Sequence, residues 1–292
     1  MFIMKTAAVV IVVGLIGFVP GQATLTFEDS RNPPLEVKEV SRREQGTAVL
    51  RDISYAMLEP GVRNSATIIE PKAPAGAPRP AVLFVHWYGP PRPTSNRTQF
   101  IPDAIELAGA GVVSLLIDTP WSDPEYFKKR KREEDYTRSI QQVKDLRRAL
   151  DILLAQTTVD PARVAYVGHD FGAMYGVLEA ANDRRIRAFV FMAGAPSFSD
   201  WFLYGPVMPP DARQKFIDQL APLDPVRYLA KLQVPVLLQF ANKDEHVAKP
   251  RADMIVAAAP EPKAVHFYEA DHELNEAATK DRLQWLRKVF KL

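Results

Sequence analysis

The sequence predicts one α/β domain whose mostly parallel central sheet is covered by helices on both faces. Two observations lead to this prediction. After an antiparallel start, short apolar runs alternate with segments in which apolar residues have helical spacing. In addition, the apolar run at 164–167 ends in Gly-His-Asp-Phe-Gly (168–172), and a helix-forming segment follows it. Such a sharp strand-to-helix turn, called the elbow below (168–172), lifts one side chain, here Asp170, above the carboxyl edge of the sheet.

Composition and charge restrict the kinds of partner and function that this protein is expected to have. The 292 residues are 47% hydrophobic and 25% charged, which is ordinary for a globular domain. The net charge of +2 does not indicate nucleic acid or an anionic surface as a partner. The chain contains no cysteine, so its stability must come from its core. We expect a small-molecule substrate and neither a metal nor a cofactor.

The first 23 residues have the pattern of a secretory signal peptide. Lys5 precedes an apolar run at 7–19 that is too short to span a membrane comfortably. Pro20 ends this run, and small residues then lead to a predicted cleavage site after Ala23. The prediction is a periplasmic or secreted protein without membrane contact after cleavage. An uncleaved membrane anchor is the alternative.

The remaining elements follow in order. Residues 24–44 are polar and predict an extended lead-in to a domain at 45–292. Runs of β-forming residues at 47–58 and 65–70 flank a Pro-Gly turn and predict an antiparallel hairpin. Further strands are predicted at 81–85, 112–117, 164–167, 188–192, 234–240 and 264–268. Helices are predicted at about 98–110, 134–156, 173–181, 254–259 and 280–290.

Several polar residues come directly after predicted strands. In a parallel sheet, functional groups lie on the loops that follow the carboxyl ends of the strands. In chain order these loops contain His86, Trp87, Tyr88, Asp118, Asp170, Asp244 and His272. The order of an elbow residue, an acid and a late histidine is that of a nucleophile, acid and base. The sequence therefore places Asp170, Asp244 and His272 at the same edge of the predicted sheet.

Over almost all of the predicted domain, the chain resembles the α/β-hydrolase superfamily. Val-Asp-Pro-Ala-Arg-Val, at 159–164, is similar to the dienelactone hydrolase and esterase branch. The elbow instead resembles that of epoxide hydrolases and haloalkane dehalogenases, in which the central Asp is the nucleophile. This resemblance implies that Asp170 is the nucleophile, Asp244 the acid and His272 the base.

The acidic elbow residue restricts the chemistry. An aspartate with an ordinary pKa near ~4 is ionised at neutral pH and attacks without help from a base. Attack on a saturated carbon leaves an ester on Asp170, which water activated by His272 can hydrolyse. We expect the oxyanion donors to be the backbone N–H of Phe171 and that of Trp87 or Tyr88. Attack on a carboxylic ester would give an anhydride, which argues against an ordinary esterase.

Alternatives exist for several of these roles. Asp118 and Glu245 compete with Asp244 for the role of the acid. His86 is predicted to be structural, hydrogen-bonded beneath the oxyanion loop (residues 86–91). His169 and His246 are predicted to have no role in the site.

Substrate contacts are predicted from aromatic residues in loops near the sheet edge. An irregular, cap-like insertion at 196–227 follows the strand that ends near Met192. The aromatic candidates for an apolar substrate are Trp87, Tyr88, Trp121, Phe171, Trp201 and Tyr204. By resemblance to epoxide hydrolases, Tyr204 and Tyr228 are candidates for protonating an epoxide oxygen. Haloalkane dehalogenases have Trp after the nucleophile where this chain has Phe171, so an epoxide is favoured over a haloalkane.

Three functional hypotheses follow. The first is an exported hydrolase in which Asp170 forms a covalent ester with an electrophilic small molecule. The second is a hydrolase of the dienelactone hydrolase and esterase kind in which Asp170 acts non-covalently, for example as a general base. The third is a non-catalytic periplasmic binding protein on the same scaffold, because a fold alone does not decide function.

Overall fold

The computed structural model describes residues 25–29, 33–205 and 207–292, and the predicted signal peptide lies outside them. Within these ranges, nine strands form one sheet: β1 (Lys38–Gln45), β2 (Ala48–Ala56), β3 (Arg63–Pro71), β4 (Arg79–Val85), β5 (Val113–Ile117), β6 (Val159–His169), β7 (Ala188–Met192), β8 (Val236–Ala241) and β9 (Lys263–Tyr268). No helix in these described ranges is long and apolar enough to cross a membrane.

Helices of very different length connect and cover the strands. They are α1 (Ile101–Gly109), α2 (Tyr126–Lys129), α3 (Asp135–Leu154), α4 (Phe171–Asn182), α5 (Phe198–Phe202), α6 (Pro210–Leu220), α7 (Pro225–Leu229), α8 (Lys249–Ala258) and α9 (Glu276–Phe290). The predicted strands and long helices are present, with ends shifted by a few residues.

The sheet has the predicted mixed topology. Its strand order is β1-β2-β3-β5-β4-β6-β7-β8-β9. The first three strands pair antiparallel with one another, and β3 pairs antiparallel with β5. All pairs from β5 to β9 are parallel. Their carboxyl ends therefore meet at one edge, where the site lies.

The central strands are apolar on both faces because helices cover both. Alternate residues of β4 belong to two separate clusters, with Leu83 on one face and Phe84 on the other. Leu83 shares its cluster with residues of α3 and α4 such as Leu146. Phe84 shares the opposite cluster with residues of α1 and α9 such as Leu107 and Leu286. The continuous apolar runs of the sequence are thus explained by two-sided burial.

Two segments differ from the prediction. The segment predicted as a lead-in at 24–44 includes most of β1, which is the edge strand of the sheet. Every residue of β1 is exposed, so no apolar alternation marks it as a strand. The insertion at 196–227 was predicted to be irregular, but it contains α5, α6 and the first residues of α7. Two of these helices have only five residues, which is too short for a helical period to be visible.

A buried ion pair joins the helices on one face of the sheet. Arg282 of α9 donates from Nε and Nη2 to Oδ2 of Asp103 on α1, at 2.9 and 2.6 Å. Its Nη1 also donates to Gln239 on β8 at 3.1 Å. Both charged side chains are almost fully buried. Removal of one partner leaves an uncompensated buried charge.

We predict that Arg282→Met lowers the free energy of unfolding by ~3–5 kcal/mol, because Asp103 is left buried without its cation. Arg287→Met is the matched control, since Arg287 lies on the same helix and pairs with Glu106 of α1 in an exposed bridge. That change should cost less than ~1 kcal/mol. Urea unfolding of both variants measures the difference, and equal losses would contradict the prediction.

Candidate active site

The predicted elbow is present and strained. Strand β6 ends at His169, and α4 begins at Phe171. Asp170 between them has φ 54° and ψ −118°, a conformation that non-glycine residues rarely adopt. A Cβ on Gly168 would collide with the backbone of Gly172, and one on Gly172 would collide with the carbonyl of Val85. The two glycines are therefore required by close backbone approach.

Asp244 and His272, the predicted acid and base, are in hydrogen-bond contact. His272 Nδ1 lies 2.8 Å from Oδ2 of Asp244. The other oxygen of Asp244 accepts the backbone N–H groups of His246 and Val247, each at 2.8 Å. Burial acts against the charged carboxylate, but the hydrogen bonds from His272 and this backbone keep the pKa of Asp244 below its ordinary value. Of the alternative acids, Asp118 is paired with Arg97 and Glu245 is exposed.

The carboxylate of Asp170 is held by only one of its oxygens. Oδ2 accepts the backbone N–H of Tyr88 at 3.1 Å. Oδ1 is buried and has no hydrogen-bond partner within the described part of the chain. Burial raises the pKa of Asp170 to about 7, against the opposing effects of His272 and of the Tyr88 and Phe171 N–H groups. The expectation of an ordinary pKa is therefore wrong, because this carboxyl is fully buried.

His272 interacts electrostatically with both Asp170 and Asp244. Burial disfavours its charged form, but the hydrogen bond to Asp244 and the charges of Asp170 and Asp244 outweigh this effect and raise the pKa of His272. Its Nε2 is buried and finds no hydrogen-bond partner among the residues that the structure describes. A cavity of about 360 Å³ beside it is lined by Trp87, Tyr88, Arg92, Glu245, His246 and His272, among others. Asp170 and His272 are thus electrostatically coupled, and His272 lies in the wall of this cavity.

The oxyanion loop distinguishes the two candidate donors that the sequence left open, and it covers His86. The backbone N–H of Trp87 donates to Oε1 of Gln99 at 3.0 Å, so of the two candidate donors only Tyr88 reaches Asp170. His86 is buried beneath the loop, with Nδ1 donating to the Trp87 carbonyl at 2.7 Å and Nε2 accepting the Thr119 hydroxyl at 2.9 Å. Burial lowers the pKa of His86 to about 4, so this histidine is neutral.

The aromatic candidates divide into two groups. Trp201 is buried and contacts both the His272 ring, at 5.5 Å between centroids, and the Phe171 ring, at 5.8 Å. Tyr204 is mostly exposed and contacts Trp201. Trp121 instead lies buried against Phe171, and its indole N–H donates to the His86 carbonyl at 3.0 Å, which commits that donor to the protein.

The surroundings of Tyr228, His246 and His169 differ from those expected from the sequence. The hydroxyl of Tyr228 donates to the carbonyl of Pro222 at 3.2 Å, so it is not free to protonate a substrate. His246 and His169 were predicted to have no role, but both rings contact His272, at 5.1 and 5.4 Å between centroids. His169 was recognisable as a polar residue at the inner end of an apolar strand, next to Asp170. No comparable signal distinguished Gln99.

A protein-family profile matches most of the described chain. The profile of the dienelactone hydrolase family matches residues 66–284, which include Tyr88, Asp170, Asp244 and His272.

The chain belongs to the dienelactone hydrolase family.

Several solved structures are similar to this family member in fold and share little of its sequence. An acetyl xylan esterase from Paenibacillus sp. R4 superimposes with a TM-score of 0.72 at 15% identity, over 88% of this chain and 90% of that one. Acetyl xylan esterase 1 from Thermoanaerobacterium sp. JW/SL YS485 gives 0.70 at 17% identity, over 89% and 90%. A cold-adapted esterase from an Arctic intertidal metagenomic library gives 0.60 at 17%, over 86% and 97%. These likenesses show the α/β-hydrolase fold.

A curated relative is an uncharacterised protein of Mycobacterium tuberculosis, which is 32% identical over 120 residues. That match spans 41% of this dienelactone hydrolase family member and 41% of the relative. Family membership therefore favours the second functional hypothesis, the dienelactone hydrolase and esterase kind, over the epoxide hydrolase kind. Family membership does not assign a role to Asp170.

Proposed function

We propose that this chain is a small-molecule hydrolase of the dienelactone hydrolase kind in which Asp170, His272 and Asp244 perform the reaction. The hydrogen bond from the Tyr88 N–H to Oδ2 of Asp170, at 3.1 Å, carries the proposal. The Tyr88 N–H is a donor that would otherwise bind the carbonyl oxygen of an ester substrate. Asp170 accepts this N–H with its own Oδ2. Its other oxygen, Oδ1, has no hydrogen-bond partner in the described ranges.

This arrangement supports a covalent route. Oδ1 attacks an electrophilic saturated carbon, a bond from that carbon to its leaving oxygen or halogen breaks, and the leaving atom takes the electron pair. The product is an ester whose carbonyl oxygen is Oδ2. Because Oδ2 already accepts the Tyr88 N–H, the oxyanion that forms in the second step needs no rearrangement of the site.

The second step uses the histidine. Nε2 of His272 takes a proton from water, and the resulting hydroxide adds to the carbonyl carbon of the ester on Asp170. The oxyanion on Oδ2 collapses, the alcohol oxygen leaves, and it takes the proton from His272. Asp244 stabilises the transient imidazolium through its 2.8 Å contact with Nδ1. Asp170 is left as a carboxylic acid with one oxygen from water. Release of its proton offsets the charge that the leaving atom took in the first step and restores the carboxylate.

A non-covalent route is the second candidate, and two observations favour it. The family match points to dienelactone hydrolase chemistry, in which a lactone or ester is the substrate class that the family name implies. A carboxyl with a pKa of about 7 is also suited to act as a general base near neutral pH. In this route Asp170 takes the proton of water, and the Tyr88 N–H must be released to the substrate.

Substrate selection is assigned to the aromatic residues around Phe171. Trp201 covers the space between Phe171 and His272, and its indole N–H is buried without a hydrogen-bond partner in the part of the chain that is described. A buried unpaired donor favours a ligand that brings an acceptor atom. We assign Trp201, with the more exposed Tyr204, to binding a partly apolar substrate that carries such an oxygen or halogen.

Isotope labelling tests the proposal. A panel of epoxides, haloalkanoates, lactones and short esters identifies a substrate, which is then turned over once by excess enzyme in ¹⁸O water. The covalent route predicts ¹⁸O in the peptide that contains Asp170 and unlabelled oxygen in the first product. The peptide containing Asp145 serves as the control. Label in the product alone supports the non-covalent route, and ligand binding without any turnover contradicts both.

A further inference from the structure

A continuous chain of hydrogen bonds runs behind the site. The Trp87 N–H donates to Oε1 of Gln99 at 3.0 Å. The amide nitrogen of Gln99 lies 2.6 Å from Nδ1 of His169, and Nε2 of His169 lies 2.9 Å from the carbonyl oxygen of His272. This series of hydrogen bonds through Trp87, Gln99, His169 and His272 is called the relay below. It connects the oxyanion loop, the segment before α1, the elbow and the loop that contains His272.

Only one arrangement of protons satisfies every contact. Because a backbone N–H donates to Oε1, the other end of the Gln99 amide is its NH₂ group, which must donate to His169. Nδ1 of His169 is then an acceptor, so the proton of the neutral ring is on Nε2. This Nε2–H donates to the carbonyl of His272, which can only accept. Each donor therefore meets an acceptor.

The surroundings of His169 keep it neutral. Burial lowers the pKa of His169 well below its ordinary value, and the charge of His272 acts in the same direction. The indole of Trp87 stacks on the imidazole with an interplanar angle of 3° and a centroid distance of 5.2 Å. A ring enclosed in this way and bonded at both nitrogens has one orientation and one tautomer.

We propose that Gln99 and His169 are positioning residues that hold the backbone of His272 at a set distance from the elbow and the oxyanion loop. The inference rests on the proposed function, in which His272 is the base. His272 is held at Nδ1 by Asp244 and at its carbonyl oxygen by His169. Asp170 directly follows His169 in the sequence. The relay therefore joins the nucleophile to the base through Gln99 and His169, neither of which lines the cavity beside His272.

The tautomer can be tested without any substrate. In the full chain labelled with ¹⁵N at histidine, NMR should show two histidines that stay neutral from pH 5 to 8. His169 is expected to carry its proton on Nε2, and His86, which donates from Nδ1, should show the opposite tautomer. His169→Asn assigns the first signal. A proton on Nδ1 of His169, or titration of His169 within this range, would overturn the proposal.

Two variants of Gln99 test the coupling. Gln99→Met removes both polar ends of the amide and should lower the NMR pKa of His272 toward its ordinary value. Gln99→Glu keeps the acceptor for Trp87 but places a second acceptor beside Nδ1, so His169 should gain a proton there. Gln142→Met is the matched control, because Gln142 is a buried glutamine on α3, away from the relay. Unchanged His169 and His272 signals in a folded Gln99 variant contradict the proposal.

Kinetics separate positioning from stability. With a substrate in hand, Gln99→Met should lower kcat by about 10- to 100-fold and change KM little, because a misplaced base slows the chemical step. Equal kcat for Gln99→Met and Gln142→Met overturns the inference. If no compound is turned over, the proposed function fails, whereas the NMR measurements still decide whether the relay holds His272.

Discussion

Replacing Asp170 with asparagine is expected to abolish turnover and, at the same time, to stabilise the protein at alkaline pH. Loss of the carboxylate removes the nucleophile in the covalent route and the base in the non-covalent one, so we expect a decrease in kcat of at least ~10⁴-fold. The stability effect follows from burial. Asp170 is fully buried, and its pKa in the folded protein is raised to about 7.

The sign of the pH dependence is set by that raised pKa. The unfolded chain binds the proton of Asp170 with an ordinary pKa near ~4, so between about pH 4 and 7 ionisation increasingly favours the unfolded state. The wild-type protein therefore loses stability over this range, and the asparagine variant does not lose this contribution. At pH 8 the variant should be more stable by ~2–4 kcal/mol, because it does not carry the buried charge whose cost raises the pKa of Asp170.

Urea unfolding at pH 5 and pH 8 measures this effect alongside activity. Asp145→Asn is the control for activity, since burial also raises the pKa of Asp145, to about 6, on α3 outside the site. That variant should retain turnover. Mass spectrometry of the peptide around position 170 checks that the asparagine has not been deamidated. A stability difference that is the same at both pH values would argue against a buried, ionising Asp170.

Replacing His272 with glutamine should stop the reaction after its first half. In the covalent route Asp170 attacks without the histidine, so the ester forms and then waits for a base. We expect a burst of one product equivalent where the leaving group is detectable, followed by turnover that is slower by ~10³- to 10⁴-fold. The peptide containing Asp170 should gain the mass of the substrate fragment.

His266→Gln is the matched control, because His266 lies on β9 with an exposed ring beside Asp281. It should retain normal turnover without an adduct. Loss of activity in the His272 variant without an adduct would favour Asp170 as a non-covalent base. Full activity in that variant would remove His272 from the mechanism.

Much of the fold was predictable because two-sided burial leaves a strong signal. Strands such as β4 and β7 are apolar at almost every position, and their length and order follow from the sequence. The edge strand β1 carries charged residues on an exposed ribbon, and α5 and α7 are short, so neither leaves a periodic pattern. Those elements depend on contacts made after the chain has folded.

The candidate site was also only partly predictable from the sequence. Chain order placed Asp170, Asp244 and His272 at one edge of the sheet, because parallel strands bring their carboxyl ends together. It did not distinguish Trp87 from Tyr88 as the donor, since a single backbone N–H is oriented by its neighbours. Gln99 occupies the N–H of Trp87, and only the folded chain brings the two together.

The amino-acid sequence alone determined the α/β architecture, the acidic elbow and the order of the three site residues, because these depend on local pattern and on topology. The tertiary structure decided three further properties. They are the pKa of Asp170, the carboxylate oxygen that accepts a hydrogen bond, and the hydrogen bonds of Gln99 and His169. These properties depend on burial and on hydrogen bonds between segments far apart in the chain, such as that between His169 and His272. No local pattern encodes such contacts, since their energies arise only when water has been excluded from between the segments.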